Sequence, residues 1–591
     1  MTTFRVWAPQ ASKVEVKIES QAIPMVSEEA GWWSARVASA QEGADYAFVL
    51  DGGEALPDPR SEWQPKGVHG PSRVVDHSAF VWTDQGWQAR PLSSGIIYEL
   101  HVGSLTPEGT FHSAVDRLDH LTRLGVTHVE LMPIYEFPGT GGRGYDGVNI
   151  YAPHHAYGGP EGLKCLVDAC HARGLAVILD VVYSHLGLGG DYLARFGPYF
   201  TDRYRTPWGD AVNLDGNDRD EVRSFLIDNA FMWLADYHVD GLRIDAVHEI
   251  FDASAIHFLE ELASEVRKLE ASLGRHLVLI AESDMNDPRI VLPPEAGGYG
   301  LHAQWNEDFH KALHALLAGE KKGSYCDFGS LGDLAKTLAH GFSYDGPYSS
   351  SHERWHGRSP VGLSGHRFVG SLQNHDHVGN RALGERIGHL VSLGRSMIGA
   401  AVVLTAPFVP MLFQGEEWGA SSPSPYFTDH QDPELGQAVR ERRSRESAAF
   451  GLDPDKVPDP QASETFLTAK LNWAEVEDEP HSTLLRWYAE LIRIRREYRD
   501  LSDGRLDKVK IGYDEQARWM LIKRGDISVA FNLGEGLQRI PVKPAGATAL
   551  LRSDLQIEVH NDFVELPPDS VVVLAGPDAL LEEVQISGMD G

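Results

Sequence analysis

Apolar and polar positions along the chain change period twice. The first 90 or so residues alternate in short runs, Phe4 to Pro9, Lys13 to Ile18, Trp33 to Val37 and Asp45 to Leu50, with Gly, Pro and Asp between them. Period-two alternation bounded by turn residues predicts a β-sandwich. From Gly95 onward, uninterrupted apolar runs of four to six residues alternate with amphipathic stretches of helical spacing. The predicted strands are Ile96–Leu100, His128–Pro133, Ala176–Asp180, Gly241–Asp245, Leu277–Ala281, His302–Trp305, Phe368–Leu372 and Val409–Phe413. Predicted helices cover Ser113–Leu124, Glu161–Arg173, Glu221–Tyr237 and Ile256–Leu269. Strands buried on both faces, each followed by a helix, close most naturally into a (β/α)8 TIM barrel.

Two stretches rich in Gly, Pro, Asp and aromatics, residues 137–157 and 421–481, interrupt the repeat and are expected to be loop insertions carrying substrate contacts. A last helix, Leu484 to Tyr498, puts Leu484, Tyr488, Leu491 and Ile492 on one face, and alternation returns at Trp519–Lys523 and Ile527–Phe531. The expected organisation is therefore an α/β protein in three parts: an N-terminal carbohydrate-binding-like β-sandwich over residues 1–92, a catalytic barrel over 93–500 and a small C-terminal β domain over 501–591. The uncharged run Ser396 to Gly415 is long enough to raise a membrane span, but Pro407 and Pro410 interrupt it. A buried helix running into a buried strand is the better reading, and no membrane association is expected.

Composition narrows the partners. At 591 residues, 42% hydrophobic and 23% charged, the chain reads as globular, and its formal net charge of −32 opposes a nucleic-acid partner. Three cysteines, Cys165, Cys170 and Cys326, form neither a disulfide framework nor a metal-ligand spacing. A reducing compartment fits them, and the N-terminus shows no basic leader followed by an apolar stretch, so a cytoplasmic location is expected. No metal or cofactor is expected.

Three acids stand at predicted C-terminal strand ends, where barrels of this kind place their chemistry: Asp245, Glu282 and Asp376. A lone Asp there is more often a turn or cap residue, but three at converging ends, each beside another polar group, point to a site. Glycosidic hydrolysis needs a carboxylate for the anomeric carbon and a protonated acid for the leaving oxygen. Arg243, two residues before Asp245, shares its face of the strand and would keep that carboxylate ionised, which suits a nucleophile. Glu282 follows an apolar run and shares its cleft with other carboxylates, which raises its pKa and suits a general acid. A retaining mechanism requires the two carboxyl groups about 5–5.5 Å apart, against more than roughly 6.5 Å for inversion.

His185 and His375, at the ends of the third and seventh strands, are candidates to hydrogen-bond sugar hydroxyls while Asp376 binds a hydroxyl pair. In the first insertion Tyr145 offers an aromatic face to a sugar ring, and Asp146 is the expected brace for Arg243.

Taken together, Asp180–His185, Gly241–Asp245, Ala281-Glu282 and Asn374-His375-Asp376 resemble, in order, the four signature regions of the α-amylase superfamily of glycoside hydrolases. The resemblance implies the nucleophile, acid/base and stabiliser roles above. Phe4-Arg5-Val6-Trp7-Ala8-Pro9 resembles the sandwich preceding the barrel in branching, debranching and trehalose-forming members. Many calcium-dependent members have Asn where this chain has Ser184, so no calcium site is implied. Where many have Lys-His after the nucleophile, this chain has His248-Glu249.

A closer likeness is to the maltooligosyltrehalose trehalohydrolases. It is carried by Pro57–Ser61, Gln64–Ser72, Asp245–His248 with Asp252 and Ser254, Gly415–Ala420 and Phe427–His430. Asn472 stands where those proteins usually have Asp. The resemblance implies a maltooligosyltrehalose substrate cut next to its trehalose unit, and makes His248, Glu249, Asp429 and His430 candidates for substrate contact. A monomer is expected, with a maltooligosyltrehalose synthase as partner by metabolic succession only. Two rival readings are a 1,4-α-glucan branching enzyme and a glucan-binding relative without catalysis; the latter need not keep all three carboxylates.

Overall fold

A computed structural model of the protein describes residues 2–449 and 456–579. Eight parallel strands close into a barrel in chain order: Ile97–Leu100, His128–Leu131, Ala176–Val181, Gly241–Ile244, Val278–Ala281, Ala303–Trp305, Phe368–Ser371 and Val409–Phe413. Every residue of these strands is buried, which is why they read as mainly apolar runs, interrupted by polar residues such as Glu99, Glu130, Asp180 and Arg243. The expected strands and the observed ones agree to within one or two residues. Inside the barrel, Ile97, Ile178, Val278, Ile280, Ala303, Val369, Val409 and Met411 form an apolar core of their own, and Trp305 closes it towards the C-terminal face.

The helices differ from expectation in two places. The stretch Ser113–Leu124 is two helices, Phe111–Val115 and Leu118–Leu124. A reciprocal capping box between Thr110 and Ser113 fixes the start of the first, and Asp116 and Arg117 turn the chain before the second begins. The helix expected over Glu221–Tyr237 runs from Arg219 to Phe231 and then widens into a π-helical turn, Met232–Asp236. The uncharged run is, as read, a buried helix, Leu393–Thr405, leading into the eighth strand. No helix among the described residues is long and apolar enough to cross a membrane.

Ahead of the barrel, a three-stranded sheet built on Thr2–Trp7 and Trp32–Val37 packs with a second sheet built on Val14–Ile18 and Asp45–Leu50. This sandwich is tied to the barrel by Trp32, whose indole donates to Glu221 at 3.0 Å, and by Arg60, which reaches Asp228 at 2.8 Å. Behind the barrel, a five-stranded and a three-stranded sheet pack together. Buried Arg524 joins them to the barrel by donating to the carbonyls of Thr405 and Ala406, each at 2.8 Å.

Neither insertion is simply loop. In the first, Asn149–Pro153 pairs antiparallel with Tyr135–Glu136, just ahead of the insertion. The second contains the helices Pro433–Ala449 and Ser463–Thr468. Residues 450–455 of that insertion, and 580–591 of the C-terminal region, lie outside the described residues.

Candidate active site

The site is built on one guanidinium. Strand pairing sets Asp180, Arg243 and Ile280 side by side on the interior face of the third, fourth and fifth strands. Arg243, fully buried, donates through Nη1 to both oxygens of Asp180, at 2.8 and 2.6 Å, and to Asp245 Oδ1 at 2.8 Å. Its Nη2 lies 3.5 Å from Glu282 Oε2, and its Cζ sits 4.0 Å from the centroid of the Trp305 ring. A charge this deep needs such company: three carboxylates compensate it and the indole face adds a cation–π contact.

Asp245 and Glu282 each follow immediately on the last residue of the fourth and fifth strands. Asp376 sits in the short helix His375–Gly379 just beyond the seventh, capped by Asn374. The acids differ in access to solvent, with side chains 10%, 15% and 52% exposed for Asp245, Glu282 and Asp376. After Asp245 the chain turns through Ala246 in the left-handed region at φ 43°, a conformation that costs a non-glycine residue about 1 kcal/mol or more. That turn aims the Ala246 N–H at Glu282 Oε2, 2.5 Å away, and the Val247 N–H at the Glu282 carbonyl, 3.0 Å away.

Burial pushes both acids upward, against the pull of Arg243: Asp245 to about 7 and Glu282 to about 8, each repelled by the other carboxylates of the site. Asp180 is likewise raised by burial, to about 6, with Arg243 and Tyr145 opposing the rise.

Around this core stand the candidate sugar-binding groups. Tyr145 donates to Asp180 Oδ2 at 2.5 Å, and its ring stacks on His375 at 4.8 Å. His375 Nδ1 is hydrogen-bonded to Glu99 at 2.5 Å, and its backbone N–H donates to the same carboxylate at 2.9 Å. This orients the ring so that Nε2 faces Asp376, 3.5 Å away. Burial draws His375 down to about 3 and His185 to about 4, so both imidazoles are neutral at physiological pH. His185 stacks on Trp208 at 3.9 Å, and its Nδ1 meets the Ser184 hydroxyl at 2.9 Å. His248 is close enough to Glu282 for a charge on its ring to lower that carboxyl. Glu249 follows in the same turn and is half-buried.

One expectation is corrected. Asp146 does not brace Arg243; its carboxylate faces His430, with Oδ2 3.7 Å from Nε2. Asp180 braces Arg243 instead, because the two are direct register partners on adjacent strands and point into the same interior. Asp429 also has protein partners, accepting the Thr140 N–H at 2.7 Å and a Gln431 side-chain N–H at 2.9 Å. Asp429 and His430 therefore join the two insertions to each other.

Three contributors had no reading of their own in the sequence: Asp180, Glu99 and Arg143. Asp180 carries the same strand-end signal as the three acids chosen. Arg143 donates to the His375 carbonyl at 2.8 Å and to the carbonyls of Ser424 and Pro425 at 2.6 and 2.9 Å, and so holds the seventh-strand end under both insertions.

Among the described residues, three clusters bring potential metal-ligand atoms together: Glu136 with His154 and His155, Asp284 with His352 and His356, and Glu558 with His560 and Glu565. None includes a strand-end carboxylate of the site. The first two are paired internally, His155 with Glu136 at 2.6 Å and His352 with Asp284 at 2.8 Å, and the Lys311 ammonium 3.1 Å from Asp284 opposes a cation there.

Comparison with known proteins gives the family. Residues 76–205 match the alpha amylase catalytic domain, residues 1–64 the carbohydrate-binding module 48 (isoamylase N-terminal domain), and residues 504–573 a domain of unknown function, DUF3459. A malto-oligosyltrehalose trehalohydrolase from Rhizobium sp. (strain M-11) is 46% identical over 97% of this chain and 97% of its own. One from Arthrobacter ramosus is 49% identical over 91% of this chain and 94% of its own. Among solved structures, a candidate alpha amylase from Salmonella typhimurium is 36% identical with a TM-score of 0.89, covering 97% of each chain. The chain is a glycoside hydrolase and belongs to the malto-oligosyltrehalose trehalohydrolase family of the α-amylase superfamily.

Proposed function

We propose that the protein hydrolyses the α-1,4-glucosidic bond next to the terminal trehalose unit of maltooligosyltrehalose, with retention of configuration. The observation that carries this reading is the shared guanidinium. Arg243 contacts Asp245 at 2.8 Å and lies 3.5 Å from Glu282, so one buried cation serves both groups the reaction needs. In the first step an Asp245 oxygen attacks the anomeric carbon while the Glu282 proton passes to the departing 4-oxygen of trehalose. The C–O bond to trehalose breaks as the glucosyl–Asp245 bond forms, and trehalose leaves.

In the second step the Glu282 carboxylate takes a proton from water, whose oxygen attacks the same carbon and releases the maltooligosaccharide and free Asp245. Burial raises both carboxyls and they repel one another's charge, which favours the form this sequence needs, one ionised and one protonated. Asp376, the most exposed of the three acids, is the group placed to bind a hydroxyl pair of the sugar and favour its distortion. Tyr145, His185, His248, Glu249 and His375 are the neighbouring candidates for sugar contact. Asp429 and His430 act by holding the loops around them.

Three free cysteines suit a reducing interior, and we place the chain in the cytoplasm as a monomer whose substrate comes from a synthase by metabolic succession only. The test is direct: incubation with maltooligosyltrehalose should release free trehalose, and Asp245→Ala should abolish that release. New branch points in amylose without free trehalose would show a branching enzyme instead.

A further inference from the structure

The second barrel strand contributes a buried acid that the reaction above does not use. Glu130 is the register partner of Glu99 on the first strand and of Ile178 on the third, so it faces the barrel interior with them. It is 1% exposed, and neither carboxyl oxygen has a hydrogen-bond partner among the described residues. Three donor atoms are in the same position: Arg243 Nε and Nη2 and Trp305 Nε1, all buried and all without a hydrogen-bond partner. All three side chains belong to the same interior, since Trp305 is part of the apolar cluster that fills the barrel and its ring lies against Arg243.

Buried polar atoms without partners are costly, and a group of them facing one space is the setting in which internal water is held, each molecule taking two to four hydrogen bonds. We propose that Glu130 is a positioning residue for the hydrolysis, holding the Nε edge of Arg243 through water bound inside the barrel. Arg243 is the group that orients Asp245, so the inference rests on the nucleophile assignment above. Glu130 acts as a neutral acid, because burial, reinforced by Glu99 and Asp180, pushes its carboxyl well above the usual carboxylate range despite Arg243. A neutral acid offers one O–H donor and one carbonyl acceptor, and a glutamine side chain offers the same two functions.

The experiment compares Glu130→Gln, Glu130→Leu and Asp245→Ala in the full chain acting on maltooligosyltrehalose, together with a high-resolution crystal structure of the unmodified protein. Glu130→Leu is expected to lower kcat at least about tenfold with KM within about twofold. It should also move the acidic limb of the pH profile upward, because a looser Arg243 favours the ionised Asp245 less. Glu130→Gln should return kcat to within about threefold of the unmodified protein and restore the acidic limb. The crystal structure should show ordered water between Glu130 and Arg243.

A leucine variant with unchanged kcat and acidic limb, whatever its melting temperature, would overturn the proposal. So would a dry contact between Glu130 and Arg243 in the crystal, a measurement that stands even if the leucine variant does not fold. Retention of turnover by Asp245→Ala would instead overturn the nucleophile assignment, and the two failures are distinguishable.

Discussion

Arg243 and Asp180 face each other across the third and fourth strands as register partners, and a single guanidinium nitrogen of Arg243 meets both oxygens of the Asp180 carboxylate. The pair lies entirely beneath the cleft, so Asp180 fixes the base on which the site stands and need not touch the sugar.

Removing the cation should be more damaging than shortening it. Arg243→Ala leaves Asp180 and Asp245 buried without their partner, and breaking a buried pair costs about 3–5 kcal/mol. We expect kcat to fall at least about a thousandfold, with a lower melting temperature. Arg243→Lys keeps the charge but not the fork, and should recover no more than about a tenth of the activity. Steady-state kinetics and calorimetry on both variants check this.

Asp180 and Asp146 should respond differently to the same change. Asp180→Asn removes a charge that Arg243 contacts directly and should lower kcat about a hundredfold or more. Asp146→Asn weakens a 3.7 Å contact with His430 and an attraction to Arg442, neither of which reaches Arg243, and should stay within about fivefold. Equal losses at the two positions would restore Asp146 as the brace.

The acid pair titrates together, with both carboxyls raised by burial. On the proposed roles turnover needs one of the pair protonated and the other ionised. A plot of kcat/KM against pH should therefore be bell-shaped, with its limbs displaced above the ordinary carboxylate range. A substrate whose leaving group needs no protonation should lose the alkaline limb and keep the acidic one.

Stability should fall as the medium becomes alkaline. Burial raises Glu416 from 4.5 to about 8, so between these values the folded chain binds more protons than the unfolded one, and the stabilisation fades as pH rises. Glu416→Gln keeps an acceptor for the Tyr488 hydroxyl, 3.0 Å away, and has no charge to bury. Its melting temperature should exceed that of the unmodified protein by at least about 2 °C at pH 9. Near pH 4.5 the two should match.

Much of this molecule is legible in its sequence for a physical reason. Strands buried on both faces are written as local, mainly apolar runs, so all eight are found; Ala303–Trp305, only three residues long and interrupted by Gln304, carries the weakest such signal. Arg243 and Asp245 are also local, two positions apart on one face, and their contact follows from that spacing. What the sequence hides is non-local. Asp180 becomes the partner of Arg243 through strand register, which no spacing records, whereas Asp146 is drawn off by His430 from the other insertion. Glu99 is concealed within an apolar strand, and Arg143 within a glycine-rich loop. The break at Asp116 and Arg117 escapes notice because the helical spacing of apolar residues continues across it.

The contacts of Asp429 with Thr140, of Asp146 with His430 and of Arg143 with Ser424 and Pro425 all cross from one insertion to the other. Residues 137–157 and 421–481 thus form one joined unit although residues 158–420 separate them in the chain. A chimaera that swaps one segment with a relative would sever these stitches, whereas swapping both would carry them along. Specificity in such a barrel is therefore inherited, or engineered, in matched pairs of loops.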